Sequence, residues 1–208
     1  MTRLVHARTR EWALAILAAC GGIAAARAQS QPSAPRYSDV YVAEEGGYQA
    51  YRIPSVIASR KGTLLAFAEA RGTGAGGAGD IDLVVRRSQD GGESWSPMQI
   101  VGDNGPNTFG NPCPVVDRNT GSIWLLTTQN RGTDREKHII AGTSGASRTV
   151  WSMKSEDDGV TRSTPSEITS SVKRPDWTWY ATGPGIGIQT MSGRLRFTLE
   201  WLSEGKDR

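Results

Sequence analysis

The chain has 208 residues, a formal net charge of +3, two cysteines and two histidines. So few histidines leave neither a zinc cluster nor a Ser/His/Asp triad, and the lack of a basic stripe removes the electrostatic footprint of a nucleic-acid binder. Part of the positive charge sits at the extreme N-terminus, so the remainder is close to neutral.

Residues 1–28 read as a secretory signal peptide. Arg3, Arg8 and Arg10 supply a basic start, Trp12 to Ala19 an apolar core extendable to Ala26, and Ala26-Arg27-Ala28 a small-residue cleavage site. The expectation is release into periplasm or medium, with a lipid anchor at Cys20, in Leu17-Ala18-Ala19-Cys20, as the alternative. No other stretch approaches the ~20 apolar residues of a membrane span. Cleavage after Ala28 leaves Cys113 alone, so no internal disulfide is expected. Residues 29–47 are assigned to a linker and first strand, and 48–208 to the folded domain.

Within that domain, short apolar runs recur between glycine and proline punctuation: Tyr51–Ile57, Thr63–Glu69, Ile81–Arg86, Met98–Val101, Pro114–Asp117, Ser122–Thr128, Thr149–Lys154, Gly185–Gln189 and Arg194–Leu199. Their β-branched and aromatic content predicts antiparallel all-β structure. Helical periodicity is visible only in the leader. Ser88-Gln89-Asp90-Gly91-Gly92-Glu93-Ser94-Trp95 is an Asp-box, S-x-D-x-G-x-S-W. Asp90 is placed to accept backbone N–H bonds within a turn, Gly92 to adopt an angle that a Cβ penalises, and Trp95 to anchor. A degenerate copy, Ser155 to Arg162, follows 67 residues later with Arg162 in place of the tryptophan. A repeat on that scale predicts β-propeller blades.

Upstream of the first box stand Tyr51-Arg52-Ile53-Pro54-Ser55, then Phe67-Ala68-Glu69-Ala70-Arg71, then Gly79-Asp80-Ile81-Asp82. Downstream come Gly110-Asn111-Pro112-Cys113-Pro114 and Trp177-Thr178-Trp179-Tyr180-Ala181-Thr182-Gly183-Pro184-Gly185. In this order the blocks resemble the exo-sialidase (neuraminidase) family of glycoside hydrolases, over roughly Tyr48 to Leu195. The resemblance implies an all-β, six-bladed propeller. The stretch after the leader, about 180 residues, has room for about three four-stranded blades, so the expectation is the front half of a propeller.

The resemblance also implies roles. Arg52 matches one of three arginines that bind the sialate carboxylate, a task suited to the rigid fork of a guanidinium. Arg71 matches a pocket arginine, with an ion pair to Glu69 or Asp80 as its other reading. Asn111 falls where a residue bonds sugar hydroxyls, or simply shapes a turn. Trp124, Trp177, Trp179 and Tyr180 are pocket walls or core fill. The family's acid/base aspartate matches Gly77, inside the glycine-rich stretch 72–79, where no side chain transfers a proton. Asp80 is the substitute if that loop reshapes; otherwise Asp80 and Asp82 make turn and strand hydrogen bonds. The family nucleophile is a tyrosine with a glutamate beside it; Tyr180 does not match it. No metal or cofactor is expected. The expected function is exo-α-sialidase action on terminal sialic acids of glycoconjugates, absent or impaired in this chain, with a sialylated glycan or free sialic acid as ligand. The rivals are a catalytically dead carbohydrate-binding propeller and an Asp-box scaffold for protein interaction.

Overall fold

Short β-branched runs broken by glycine fold here into antiparallel meanders, and the inner strands of the first, Leu64–Arg71 and Ile81–Ser88, are buried on both faces. The computed structural model describes residues 36–202, in which 37–202 belong to one unit; the leader and Cys20 lie outside the described residues. From 36 to 47 the chain runs in turns, and regular structure starts at β1, Ala50–Ala58. β2 (Leu64–Arg71), β3 (Ile81–Ser88) and β4 (Gln99–Gly102) complete a four-stranded meander. A second is built from β5 (Thr108–Val116), β6 (Ile123–Asn130), β7 (Thr149–Ser155) and β8 (Ser166–Glu167). One parallel pairing, Ile81 with Thr108, links the two. Beyond them β9 (Trp179–Thr182) pairs with β12 (Leu199–Leu202), and β10 (Ile188–Gln189) with β11 (Leu195–Arg196). Among the described residues no sheet closes on itself.

Two short helices depart from the all-β expectation: α1, Glu136–Ile140, and α2, Thr169–Val172. Neither is long enough for a 3.6-residue period to show in sequence. Tertiary burial holds α1, because Ile139 packs under Trp179 and Ala181. None of the described helices is long and apolar enough to cross a membrane.

The main core lies between the two meanders. Ile57, Leu65, Phe67, Leu83, Val85 and Val101 of the first meet Phe109, Ile123, Leu125 and Met153 of the second. Each large side chain buried there contributes roughly 1.5–3 kcal/mol of transfer free energy. The opposite face of the first meander, Ala68, Ala70 and Val84, is covered by Tyr41, Tyr48, Tyr51 and Met98. Both Asp-boxes sit on the turn leaving the third strand of a meander. In the first, Ser94 N–H donates to Asp90 Oδ1 (3.0 Å) and Gly92 N–H to Ser88 Oγ (2.8 Å). In the second, Thr161 N–H donates to Asp157 Oδ1 (2.8 Å) and Gly159 N–H to Ser155 Oγ (2.9 Å). The degenerate copy is thus a complete turn.

Candidate functional site

The first strands of successive meanders lie side by side and share one irregularity. β1 shifts register between Arg52 and Ser55, with Ile53 at φ 52°. β5 shifts between Gly110 and Cys113, with Asn111 at φ 57°. After β9, Gly183 adopts φ 75°. Each of the three precedes a proline. Two are bulges that re-aim the strand end, and a β-branched residue at positive φ stores strain of about 1–3 kcal/mol, a feature concentrated at functional sites. The three strands are tied together here: Thr182 Oγ1 donates to Asn111 O (2.7 Å) and Ser55 Oγ to Gly185 O (2.8 Å).

A polar cluster occupies this end. Arg52 pairs in register with Glu69, two residues before Arg71 on the same face of β2. The Arg71 guanidinium donates through Nε (3.2 Å) and Nη2 to Glu69 Oε2, with both side chains almost wholly buried. Its Nη1 donates to Ala75 O and Gly76 O, each at 2.6 Å. Arg52, exposed, donates Nη1 to the same Ala75 O at 3.1 Å. Two guanidinium groups therefore converge on one carbonyl oxygen of the glycine-rich loop.

Asn111 links this cluster to the rest of the fold. Its backbone N–H donates to Glu69 Oε1 (2.8 Å), and its Oδ1 accepts from Thr128 Oγ1 (3.0 Å) and Arg148 Nη1 (2.8 Å). Arg148 is buried, donates Nε to Asn130 Oδ1 (2.8 Å), and lies 4.1 Å above the Trp179 ring. Desolvation brings its pKa down to about 10 against the opposing charges of Glu69, Glu136 and Glu200. Lys173 donates to Ser147 Oγ, to Arg148 O (2.7 Å) and to Thr178 O (3.4 Å); burial, then the Arg148 charge, lowers its pKa to about 8.

Of the residues picked from sequence, Arg52, Arg71 and Asn111 fall in one cluster, and Arg71 does pair with Glu69. Asp80 stands at the return of the loop, where its carbonyl accepts Gly72 N–H (3.1 Å) and its carboxylate lies beside Gly72. No hydrogen bond or ion pair among the described residues brings Asp80 to the arginines. Asp82 faces away and accepts from Tyr48 OH at 2.5 Å; burial pushes its carboxyl up, against that hydrogen bond. Gly77 is exposed, and a Cβ there would meet nothing within 4 Å. Trp179 and Tyr180 are buried, whereas Trp177 stacks on Trp201 (4.6 Å). Sequence reasoning missed Glu69 as the acceptor for Asn111, and missed Arg148 altogether. Glu69 had a signal, its two-residue offset from Arg71 on one strand face. Arg148 had none, because its partners come from three distant segments.

The paired turns and the repeated strand-end bulges define a BNR-repeat scaffold with a guanidinium-lined end. Residues 62–208 match the family model of the BNR repeat-like domain. The chain is 35% identical over 166 residues to an exo-alpha-sialidase of Aspergillus fumigatus, covering 72% of this chain and 41% of that relative. It is 36% identical over 169 residues to sialidase-3 of Mus musculus, covering 76% and 39%. A solved Hadza microbial sialidase superposes with a TM-score of 0.68 at 31% identity, over 76% of this chain and 34% of that one. The chain belongs to the sialidase family of BNR-repeat proteins. It spans about two fifths of the length of these curated relatives.

Proposed function

We propose that the chain forms the carboxylate-recognising part of an exo-α-sialidase-type propeller, the two described meanders and the strands after them standing for about its first three blades. Its ligand is a terminal sialic acid, free or on a glycan. The observation that carries this reading is the convergence of Arg52 and Arg71 on Ala75 O, at 3.1 and 2.6 Å. One Nη1 from each of two guanidinium groups set around one oxygen position suits an anionic carboxylate better than a neutral sugar. Acid catalysis by this chain alone is not part of the reading: the stretch 72–79 holds no carboxylate, and a positioned acid typically supplies about 10²–10⁴-fold. The missing acid favours the second reading, a binder without turnover, over an enzyme, and the converging arginines favour it over the scaffold.

Saturation-transfer NMR with N-acetylneuraminic acid tests it, alongside a fluorogenic sialoside assay. Transfer to the ligand is expected in the unmodified chain. Arg52→Ala should abolish it, because an under-paired carboxylate costs roughly 2–5 kcal/mol. No turnover is expected. Absent saturation transfer would leave the scaffold reading standing, and sialoside hydrolysis at rates usual for such enzymes would overturn the binder-only part.

A further inference from the structure

A buried guanidinium is ordinarily paired with a carboxylate, since removing its charge from water is costly without one. Arg148 breaks that rule. Among the described residues no carboxylate pairs with it directly; its bonds go to the side-chain oxygens of Asn111 and Asn130, each at 2.8 Å. An apolar side chain of similar length would fill the same place over Trp179 without that cost. The charge therefore has a use in what it bonds.

A guanidinium only donates, so the Asn111 carboxamide must present its oxygen to Arg148. Thr128 Oγ1 donates to the same oxygen, which is thereby saturated. The Asn111 backbone is engaged on both sides, its N–H by Glu69 and its carbonyl by Thr182. One group of the residue is left, the Nδ2 amide, which donates to no acceptor among the described residues. It belongs to a half-buried side chain on the strand-end bulge whose backbone N–H meets Glu69, the partner of Arg71.

We propose that Arg148 is a positioning residue of this site: it turns the Asn111 carboxamide so that its N–H donors face the bound ligand beside Arg52 and Arg71. The proposal rests on the ligand reading given above, but its first arm needs no ligand. In the ¹⁵N-labelled full chain, the Arg148 guanidinium hydrogens should exchange slowly and the Asn111 side-chain amide should show one well-dispersed pair. In Arg148→Lys that pair should move toward the shifts of a freely rotating asparagine, because one ammonium cannot bond both amide oxygens and stack on Trp179. Arg148→Met should do the same.

The second arm is affinity for N-acetylneuraminic acid. Losing the aimed amide should weaken binding about tenfold, the size of one hydrogen bond to a charged group. The loss should be the same in Arg148→Lys, in Asn111→Ala and in the double variant, since residues acting as a unit are not additive. An unmoved Asn111 amide in Arg148→Lys, or additive losses in the double variant, overturns the proposal. Should the unmodified chain bind no sialic acid, the ligand reading fails, and an amide that still moves keeps only the Arg148–Asn111 link. If Arg148→Met does not fold, the Asn111 side-chain amide shifts of the unmodified chain and the Lys variant decide.

Discussion

The turns at 88–95 and 155–162 share a hydrogen-bond skeleton atom for atom, yet they are fastened to the molecule differently. In the first, Gly91 occupies the positive-φ position after the aspartate and touches nothing through a side chain, while Trp95 reaches back to Ser38 Oγ at 3.2 Å. In the second, that position is Asp158, at φ 66°, whose carboxylate accepts from Thr63 Oγ1 (2.6 Å) and Arg87 Nη2 (3.3 Å) of the first meander. Arg162, in the tryptophan's place, donates to Gln99 on β4 at 3.2 Å. Burial lowers the Arg162 pKa, with Asp157 opposing. The aspartate, the serine or threonine hydroxyls and the glycine build the turn. The other positions are free to be recruited, and the second turn has recruited them as ties between meanders.

The sharpest way to break the comparison is a methyl group at the shared glycine. At Gly159, with φ 78°, a Cβ would stand 2.2 Å from Leu65 Cδ2, and Leu65 is too buried to swing aside. Gly159→Ala should cost about 3 kcal/mol or more, overpacking added to an unfavourable backbone angle. At Gly92, φ 94°, the nearest atom would be Leu64 Cδ1 at an ordinary 3.5 Å. Gly92→Ala should cost about 1–2 kcal/mol, the backbone term alone. Urea unfolding of the pair measures the difference; equal losses would mean that the second turn is no more tightly seated than the first.

Asp158→Ala comes next in size. It leaves the Thr63 hydroxyl and Arg87 Nη2 without their acceptor, while Arg87 Nε keeps the carbonyl of residue 158 (3.1 Å), at a seam where both side chains are largely enclosed, for about 2 kcal/mol. Adding the missing carboxylate to the first turn, Gly91→Asp, should bring no matching gain, because nothing stands opposite it. Thermal melts of the two variants check this.

The smallest effect is in pH. Hydrogen bonds from Thr161, then Ser155, hold the Asp157 pKa at about 2, and those from Ser94, then Ser88, hold Asp90 well below the usual carboxylate range as well. Both are depressed from an unfolded value of about 3.9, so the support they give is fully present above that value and lost as pH falls through the folded pKa. Both turns should therefore loosen on acidification below that value. Amide chemical shifts of Thr161 and Ser94, followed down from pH 4, report each turn; shifts that stay unmoved through acidification would sink this account.

Much of this was legible in the chain because it depends on neighbours in sequence. The box turn, its 67-residue recurrence and strands β2 and β3 follow from local spacing and unbroken apolar runs. β5 was legible only in its second half: Gly110 and Pro112 look like punctuation, yet they lie inside a first strand whose bulge tolerates them. β9 read as a motif rather than a strand. Arg52, Arg71 and Asn111 were recoverable from block order, and Glu69 from strand periodicity. Arg148 was not, since Asn111, Asn130 and Trp179 converge on it only after three segments have folded.

On the proposed ligand reading, the loop 72–79 is an internal competitor for the site. Arg71 already has Nε, Nη1 and Nη2 engaged, by Glu69, Ala75 O and Gly76 O, so an incoming anion displaces chain rather than water. Its apparent affinity is then the intrinsic one scaled by the fraction of molecules with the loop lifted. Five of those eight residues are glycines, whose backbones lose the most freedom on being fixed, at about 1–2 kcal/mol per residue. That entropy favours the lifted state more strongly as temperature rises. Warming thus favours release of the Nη1 groups that the loop holds, while Glu69 keeps the rest of the Arg71 guanidinium in place.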